Sequence, residues 1–342
     1  MLVNDYRYGL LLFLQDGSAL GLKPMRPDWE PAVEWTRFYY ARRGELPFCS
    51  GGAASIQPLW DRTEGEPNLR GFRVLCESDG RRPVAAEFPN KYFAGEASEV
   101  ADELVKRGKI ESGDTYLYRP IAYPRNGDKP EAAPVIDVVE ETPAVELAES
   151  PLEDFRRRAA PAGVVDADDM PVFIPRHVLD EAAALTRQNE GTETGGVLIG
   201  RLYREASLPE IFAEVTAQIP AQHAPGTAAK LSFTPATWSA ADDAVRLRNR
   251  GEKYLGYWHS HPVREWCKAK ECTPEKQKTC RLGKDFFSED DRGVMRAAFP
   301  RAYSVGLVVN DTAFTDLSFS LFGWREGTIH PRGFYVLEEP NA

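Results

Sequence analysis

Cysteine and histidine are both scarce, at five each in 342 residues, and no histidine precedes His177. A secreted disulfide framework needs an even, dense set of cysteines in a short chain. The odd count leaves reduced thiols or metal ligands as the uses of sulfur. The longest early apolar run, 9–14, falls far short of the roughly 20 residues that cross a bilayer. It follows Asp5 and Arg7 and has no small-residue cleavage site behind it. Positive charge is in deficit, Lys+Arg 42 against Asp+Glu 52 for a net charge of −10, so broad attraction to nucleic acid or anionic lipid is not expected. Three common hydrolase or nucleotide signatures are missing as well: His-Glu-x-x-His, Gly-x-Ser-x-Gly and Gly-x-x-x-x-Gly-Lys. What remains is the expectation of a cytoplasmic protein with no membrane or nucleic-acid partner.

Hydrophobic residues at 42% and charged residues at 27% are ordinary globular values. At roughly 150 residues per domain, the length predicts two domains. Residues 1–123 read as a small α+β domain. Strands are expected at 6–14, 71–76, 84–88 and 115–118, and helices at 29–42 and 97–107, with Gly44 and Gly108 at their ends. Cys49 lies in this half, but no histidine there could activate it, so it reads as an ordinary thiol. Over 124–169, prolines (Pro130, Pro134, Pro143, Pro151, Pro161) alternate with acidic residues, a composition that predicts a mostly flexible acidic linker, with a short helix at 152–159.

From 170 to 342, strands and helices alternate. Strands are expected at 172–174, 195–201, 211–218, 231–234, 254–259, 304–310 and 317–324, and helices at 175–188, 236–249 and 288–296. The pattern predicts an α/β layered sheet.

The densest chemical signal is Gly256-Tyr257-Trp258-His259-Ser260-His261-Pro262. Residues i and i+2 of a strand share a face, so His259 and His261 can aim at one metal ion. Taken alone, such a pair is more often an ordinary polar strand end. In Ser288-Glu289-Asp290-Asp291 a serine precedes a helix with an acid three positions on, which is a helix cap and also a way to place a third hard ligand, leaving one coordination position for water. Glu193, in Gly191-Thr192-Glu193-Thr194-Gly195-Gly196-Val197-Leu198-Ile199-Gly200, is either a solvated turn residue or a general base beside that water.

Glu-Thr-Gly-Gly-Val-Leu-Ile-Gly, then His-Ser-His-Pro, then Ser-x-x-Asp, in this order, resembles the JAMM metalloproteases, the MPN-type isopeptidases. The resemblance spans about 170–338 and includes Leu231-Ser232-Phe233-Thr234-Pro235 and Val305-Gly306-Leu307-Val308-Val309. It implies a JAMM-type α/β/α sheet, with His259, His261 and Asp291 as ligands of a catalytic zinc. The Ser-x-x-Asp spacing selects Asp291 over the neighbouring Asp290. Glu193 would then be general base to a zinc-activated water, and Ser288 the group that stabilises the oxyanion. The substrate implied is a ubiquitin-like protein, cut from its conjugates or trimmed at its C-terminus. The first domain would bind substrate or partner.

A chain of this layout resembles bacterial members found with ubiquitin-like, activating and conjugating proteins, some of them in antiphage defence. A noncatalytic zinc-binding scaffold is the alternative. A zinc deaminase would need His-x-Glu with Pro-Cys-x-x-Cys, which the chain lacks. One departure from the family pattern is the long segment 262–287 between His261 and Ser288. It carries Cys267, Cys272 and Cys280 among basic residues. These three thiols suggest a second, structural zinc, with His223 or another residue as fourth ligand; reduced cysteines or a disulfide are the other readings.

Overall fold

The computed structural model describes residues 2–48, 52–61, 68–78, 80–124, 147–189, 191–221, 233–273, 275–276, 286–312 and 317–338. The chain divides into two units, Met1–Val145 with Glu326–Thr328, and Glu146–Arg325 with Ile329–Ala342.

The first unit contains β1 (Leu2–Asn4), β2 (Tyr6–Leu14), β3 (Ala19–Met25), α1 (Glu30–Arg42), β4 (Ala54–Asp61), β5 (Asn68–Cys76), β6 (Val84–Pro89), α2 (Ala94–Lys106) and β7 (Tyr116–Pro124). Two sheets form, in the orders β1-β4-β5-β6 and β3-β2-β7. Period-two alternation makes β2 a strand: Tyr8, Leu10 and Leu12 all turn inward and are buried. Leu10 and Leu12 meet Ala97, Ala101 and Leu104 of α2, which recur at helical spacing along one stripe. Trp29, Phe72, Phe88 and Phe93 fill a second core, with Phe72 stacked on Phe88 at 4.9 Å between ring centroids. The α+β character expected of 1–123 is what the unit displays; β1, β3 and β4 carried too little alternation to be predicted.

The second unit contains β8 (Ala148–Glu149), α3 (Leu152–Arg157), β9 (Ala159–Ala162), β10 (Val172–Pro175), α4 (Arg176–Gln188), β11 (Gly195–Arg204), β12 (Ile211–Pro220), α5 (Pro235–Arg248), β13 (Lys253–His261), α6 (Val263–Ala269), α7 (Glu289–Ala298), β14 (Val305–Asn310), β15 (Ser318–Arg325), β16 (Thr328–Arg332) and β17 (Phe334–Leu337). Its mixed sheet runs β16-β15-β14-β13-β11-β12-β10-β17-β9, with β8 added to the end of β11. Helices cover both faces. On one, Ala241 of α5 and Met295 of α7 pack with Val197, Tyr257, Val308 and Phe322. On the other, the Trp258 indole donates to Gln218 Oε1 at 3.0 Å, and the Gln218 amide in turn reaches Glu181 of α4 at 3.1 Å. The fold is α/β, as the alternation predicted.

The expected linker is corrected at its C-terminal side. Residues 125–146 lie outside the described residues, but 147–169 is folded into the second unit. Leu152 and Phe155 are buried against Phe173, Tyr203, Phe212 and Leu337, and β9 pairs antiparallel with β17. Acidic and proline content disguised this. Pro161 is tolerated because β9 is the sheet's edge, where one N–H can be missing, and Asp166 and Asp169 are neutralised by Arg325 at 2.7 and 3.1 Å. The strand expected at 231–234 is also corrected: 231–232 lie outside the described residues, and Thr234 caps α5, its Oγ1 accepting the Thr237 N–H at 3.2 Å.

Two glycines separate tight packing from open space. A Cβ at Gly256, where φ is +155, would stand 1.7 Å from the Val305 carbonyl oxygen across the β13–β14 ladder. A Cβ at Gly293 on α7 would meet nothing within 4 Å. Gly256→Ala is therefore expected to destabilise the second unit by about 3 kcal/mol or more, a fall in melting temperature of roughly 6–12 °C. Gly293→Ala should be neutral or stabilising by up to about 1 kcal/mol. Thermal unfolding of the two variants checks the pair, and equal melting temperatures would refute the argument.

Candidate metal centre

Strand β13 delivers both imidazoles. With side chains alternating, Tyr257, His259 and His261 share the face that looks toward α7, and His259 and His261 are 1% and 2% exposed. Pairing with β11 on one side and β14 on the other fixes the strand, with Gly195 opposite His259 and Asn310 opposite His261.

The third group arrives on a helix end. Ser288 is the N-cap of α7 and Asp291 its third residue, and together they close a reciprocal capping box. The Ser288 N–H donates to Asp291 Oδ2 at 2.7 Å, and the Asp291 N–H donates to Ser288 Oγ at 3.1 Å. The box locks the Asp291 rotamer with Oδ1 3.1 Å from His259 Nε2 and Oδ2 3.6 Å from His261 Nε2, while the two Nε2 atoms stand 3.0 Å apart.

Glu193 enters from the residue pair before β11. Thr194 is clamped to Ser260, which donates its N–H to the Thr194 carbonyl at 2.8 Å and takes the Thr194 N–H on its hydroxyl at 3.0 Å. That clamp holds the adjoining Glu193, only 7% exposed, at the wall of a cavity of about 470 Å³ that Ser288, Asp291 and both histidines also line.

The electrostatics suit a cation. Burial by itself would raise the Asp291 carboxyl pKa, but the two imidazoles and the Ser288 N–H outweigh it and hold the group well below the ordinary carboxylate range. Burial lowers His261 and so favours its neutral form, against the opposing pull of Asp291. Tyr257 is driven well above its ordinary value, first by burial and then by the charges of Asp291 and Glu193. Its hydroxyl keeps its proton and donates it to the Asp291 carbonyl oxygen at 3.1 Å.

The donor set fits a metal ion. Among the described residues, His259, His261 and Asp291 form the one group of three ligand side chains with atoms mutually within 4.8 Å. Neutral imidazole and ionised carboxylate are the forms a metal takes. Bonds of about 2.0–2.1 Å in a tetrahedron set donors roughly 3.3 Å apart, and the separations here straddle that value.

Asp290 lines the cavity but is not in the triad. His177 on α4 and His330 on β16 are not in it either. Of the insert cysteines, Cys267 is buried on α6 and Cys272 follows it, its N–H bonded to the Cys267 carbonyl at 2.9 Å. Cys280 and His223 lie outside the described residues, as does Cys49. Sequence reasoning missed Tyr257, although its place two residues before His259 on a strand was the signal. It also missed Trp266 and Phe286, from the two ends of the insert, whose rings sit 5.5 and 5.2 Å from that of His261.

Metal analysis of purified protein is expected to find one equivalent of divalent ion held by this triad. His259→Ala or Asp291→Asn should weaken binding by more than the roughly 10–100-fold that outer partners of a metal site cost, and unchanged content in both would refute the assignment. A second equivalent that disappears in Cys267→Ser would place a further ion in the insert.

Residues 175–265 match the family model described as prokaryotic homologs of the JAB domain. Among curated protein sequences none matches the chain significantly. Among solved structures, the chain is similar to the solution structure of protein DSY2949 from Desulfitobacterium hafniense. The identity is 20% and the TM-score 0.35, over 49% of this chain and 94% of that one. The matched segment carries Glu193, His259 and His261 and supports a JAMM/MPN-type family for the second unit.

Proposed function

We propose that the chain is a zinc-dependent peptidase or isopeptidase that releases a ubiquitin-like protein from its conjugates or trims the C-terminus of such a protein. The observation that supports this best is the convergence on one cavity of His259, His261 and Asp291 with a buried carboxylate, Glu193, and a helix-capping hydroxyl, Ser288. Structural zinc sites close their coordination with four protein ligands, whereas three ligands facing a cavity is the catalytic arrangement. That contrast favours an enzyme over a scaffold. Zinc, when bound by the triad, would supply Lewis acidity toward the substrate carbonyl and lower the pKa of nearby water.

The rest of the chemistry falls to the protein. Glu193 accepts a proton from the attacking water and returns it to the departing amine. Ser288 Oγ already accepts the Asp291 N–H, so its own proton is left to donate toward the negative charge that develops on the carbonyl oxygen. Tyr257, stacked on His259 at 5.3 Å, keeps water from that ring. The choice of a ubiquitin-like substrate rests on the family, and the first unit is proposed to grip the substrate or a cognate activating or conjugating enzyme. Among the described residues no helix is long and apolar enough to cross a membrane; a cytoplasmic setting is part of the proposal.

Glu193→Gln should retain metal and lose cleavage by about 10²–10⁴-fold. Ser288→Ala should lose roughly 10²–10³-fold in kcat and about 1 kcal/mol of stability as the cap is removed. Cleavage of ubiquitin-like fusions and lysine conjugates, with and without chelator, measures both. A Glu193→Gln protein as active as its parent would sink this mechanism. Zinc bound without cleavage of any such substrate would favour the noncatalytic scaffold.

A further inference from the structure

An imidazole that gives Nε2 to a metal carries its proton on Nδ1, and a buried N–H requires an acceptor. His261 Nδ1 is buried and has no well-aligned hydrogen-bond partner among the described residues. Directly across the parallel ladder, in register with His261, stands Asn310, the last residue of β14 and only 4% exposed. Its amide orientation is set from the far side, where Nδ2 lies 3.1 Å from the Ser320 hydroxyl on β15. That tether leaves Oδ1 as the free end of the amide, and Oδ1 too is buried without a well-aligned partner. A donor lacking an acceptor and an acceptor lacking a donor thus occupy adjacent positions of one ladder.

We propose that Asn310 is the positioning residue of the metal centre: its Oδ1 accepts the Nδ1–H of His261, fixes the tautomer and turns Nε2, with its lone pair bare, toward the ion. Ser320 holds the amide in the orientation this needs. The assignment rests on the metal reading of the triad and adds a residue that touches neither metal nor substrate.

The test is zinc affinity of the full-length protein by chelator competition, with the melting temperature of the metal-free protein as the control for folding. Asn310→Leu, which removes the acceptor at similar volume, should weaken zinc binding by about 10–100-fold. Asn310→Asp, which keeps an acceptor in place, should stay within about threefold of the parent. The parent offers a second measurement that needs no variant. In the zinc-loaded protein, the nitrogen resonances of His261 should show a slowly exchanging proton on Nδ1 and none on Nε2. Zinc binding by Asn310→Leu equal to the parent's, a loss in Asn310→Asp as large as in Asn310→Leu, or a His261 proton on Nε2 would each overturn the role given to Asn310. Failure of the parent itself to bind zinc would instead remove the metal reading on which this one stands, so the two failures are told apart.

Discussion

Asp291 is shared between a helix and a pair of imidazoles, and the centre depends on that sharing. A carboxylate at the third position of a helix is held by the N-cap N–H and by the favourable field of the helix N-terminus. Here the box fixes its torsion, so Oδ1 stands against His259 while Oδ2 remains bonded to Ser288. The imidazoles come from a different kind of element, a strand buried on both faces and locked by two neighbours. A metal site needs donors placed to a few tenths of an ångström. It obtains them by joining the two most rigid local geometries available, a central strand and a capped helix end.

Burial then multiplies what this geometry can do. In the low-dielectric setting that burial provides, the attraction between the Asp291 carboxylate and a cation is far stronger than in water. Glu193 adds a second carboxylate to the cavity, and the elevated Tyr257 hydroxyl registers both charges. One carboxylate is therefore committed to the imidazoles and the helix, and the other lines the cavity. The environments, more than the residue types, divide the roles.

The sequence displayed this arrangement unevenly. His259, His261, Ser288, Asp291 and Glu193 were legible because each sits in a local pattern with a physical meaning: i and i+2 on a strand, a Ser-x-x-Asp cap, and a glycine-flanked strand start. Strands β2, β11, β13 and β14 were legible for the same reason. What stayed hidden was non-local. Asn310 matters only through its register with His261, which depends on β13 and β14 pairing in parallel across α6 and α7. Leu152 and Phe155 looked like stray apolar residues in an acidic stretch, since the pocket they enter is built from Phe173, Tyr203, Phe212 and Leu337, distant in sequence. Composition averages over just such positions.

The long segment between His261 and Ser288 appears at first to threaten the register of the centre, yet the physics of loops makes it harmless. Closure entropy grows only as the logarithm of loop length, roughly 0.6 kcal/mol for each doubling, whereas both ends of this loop are anchored by stronger local structure. At one end, Pro262 is followed by α6, whose Arg264 pairs with Asp311 at 3.1 Å. At the other, the capping box between Ser288 and Asp291 fixes the start of α7. The insert's two ends place Trp266 and Phe286 against His261, so the segment that lengthens the loop also supplies apolar wall to the cavity. Trp266 and Phe286 thus border the cavity, while His259, His261 and Asp291 stand where β13 and α7 put them.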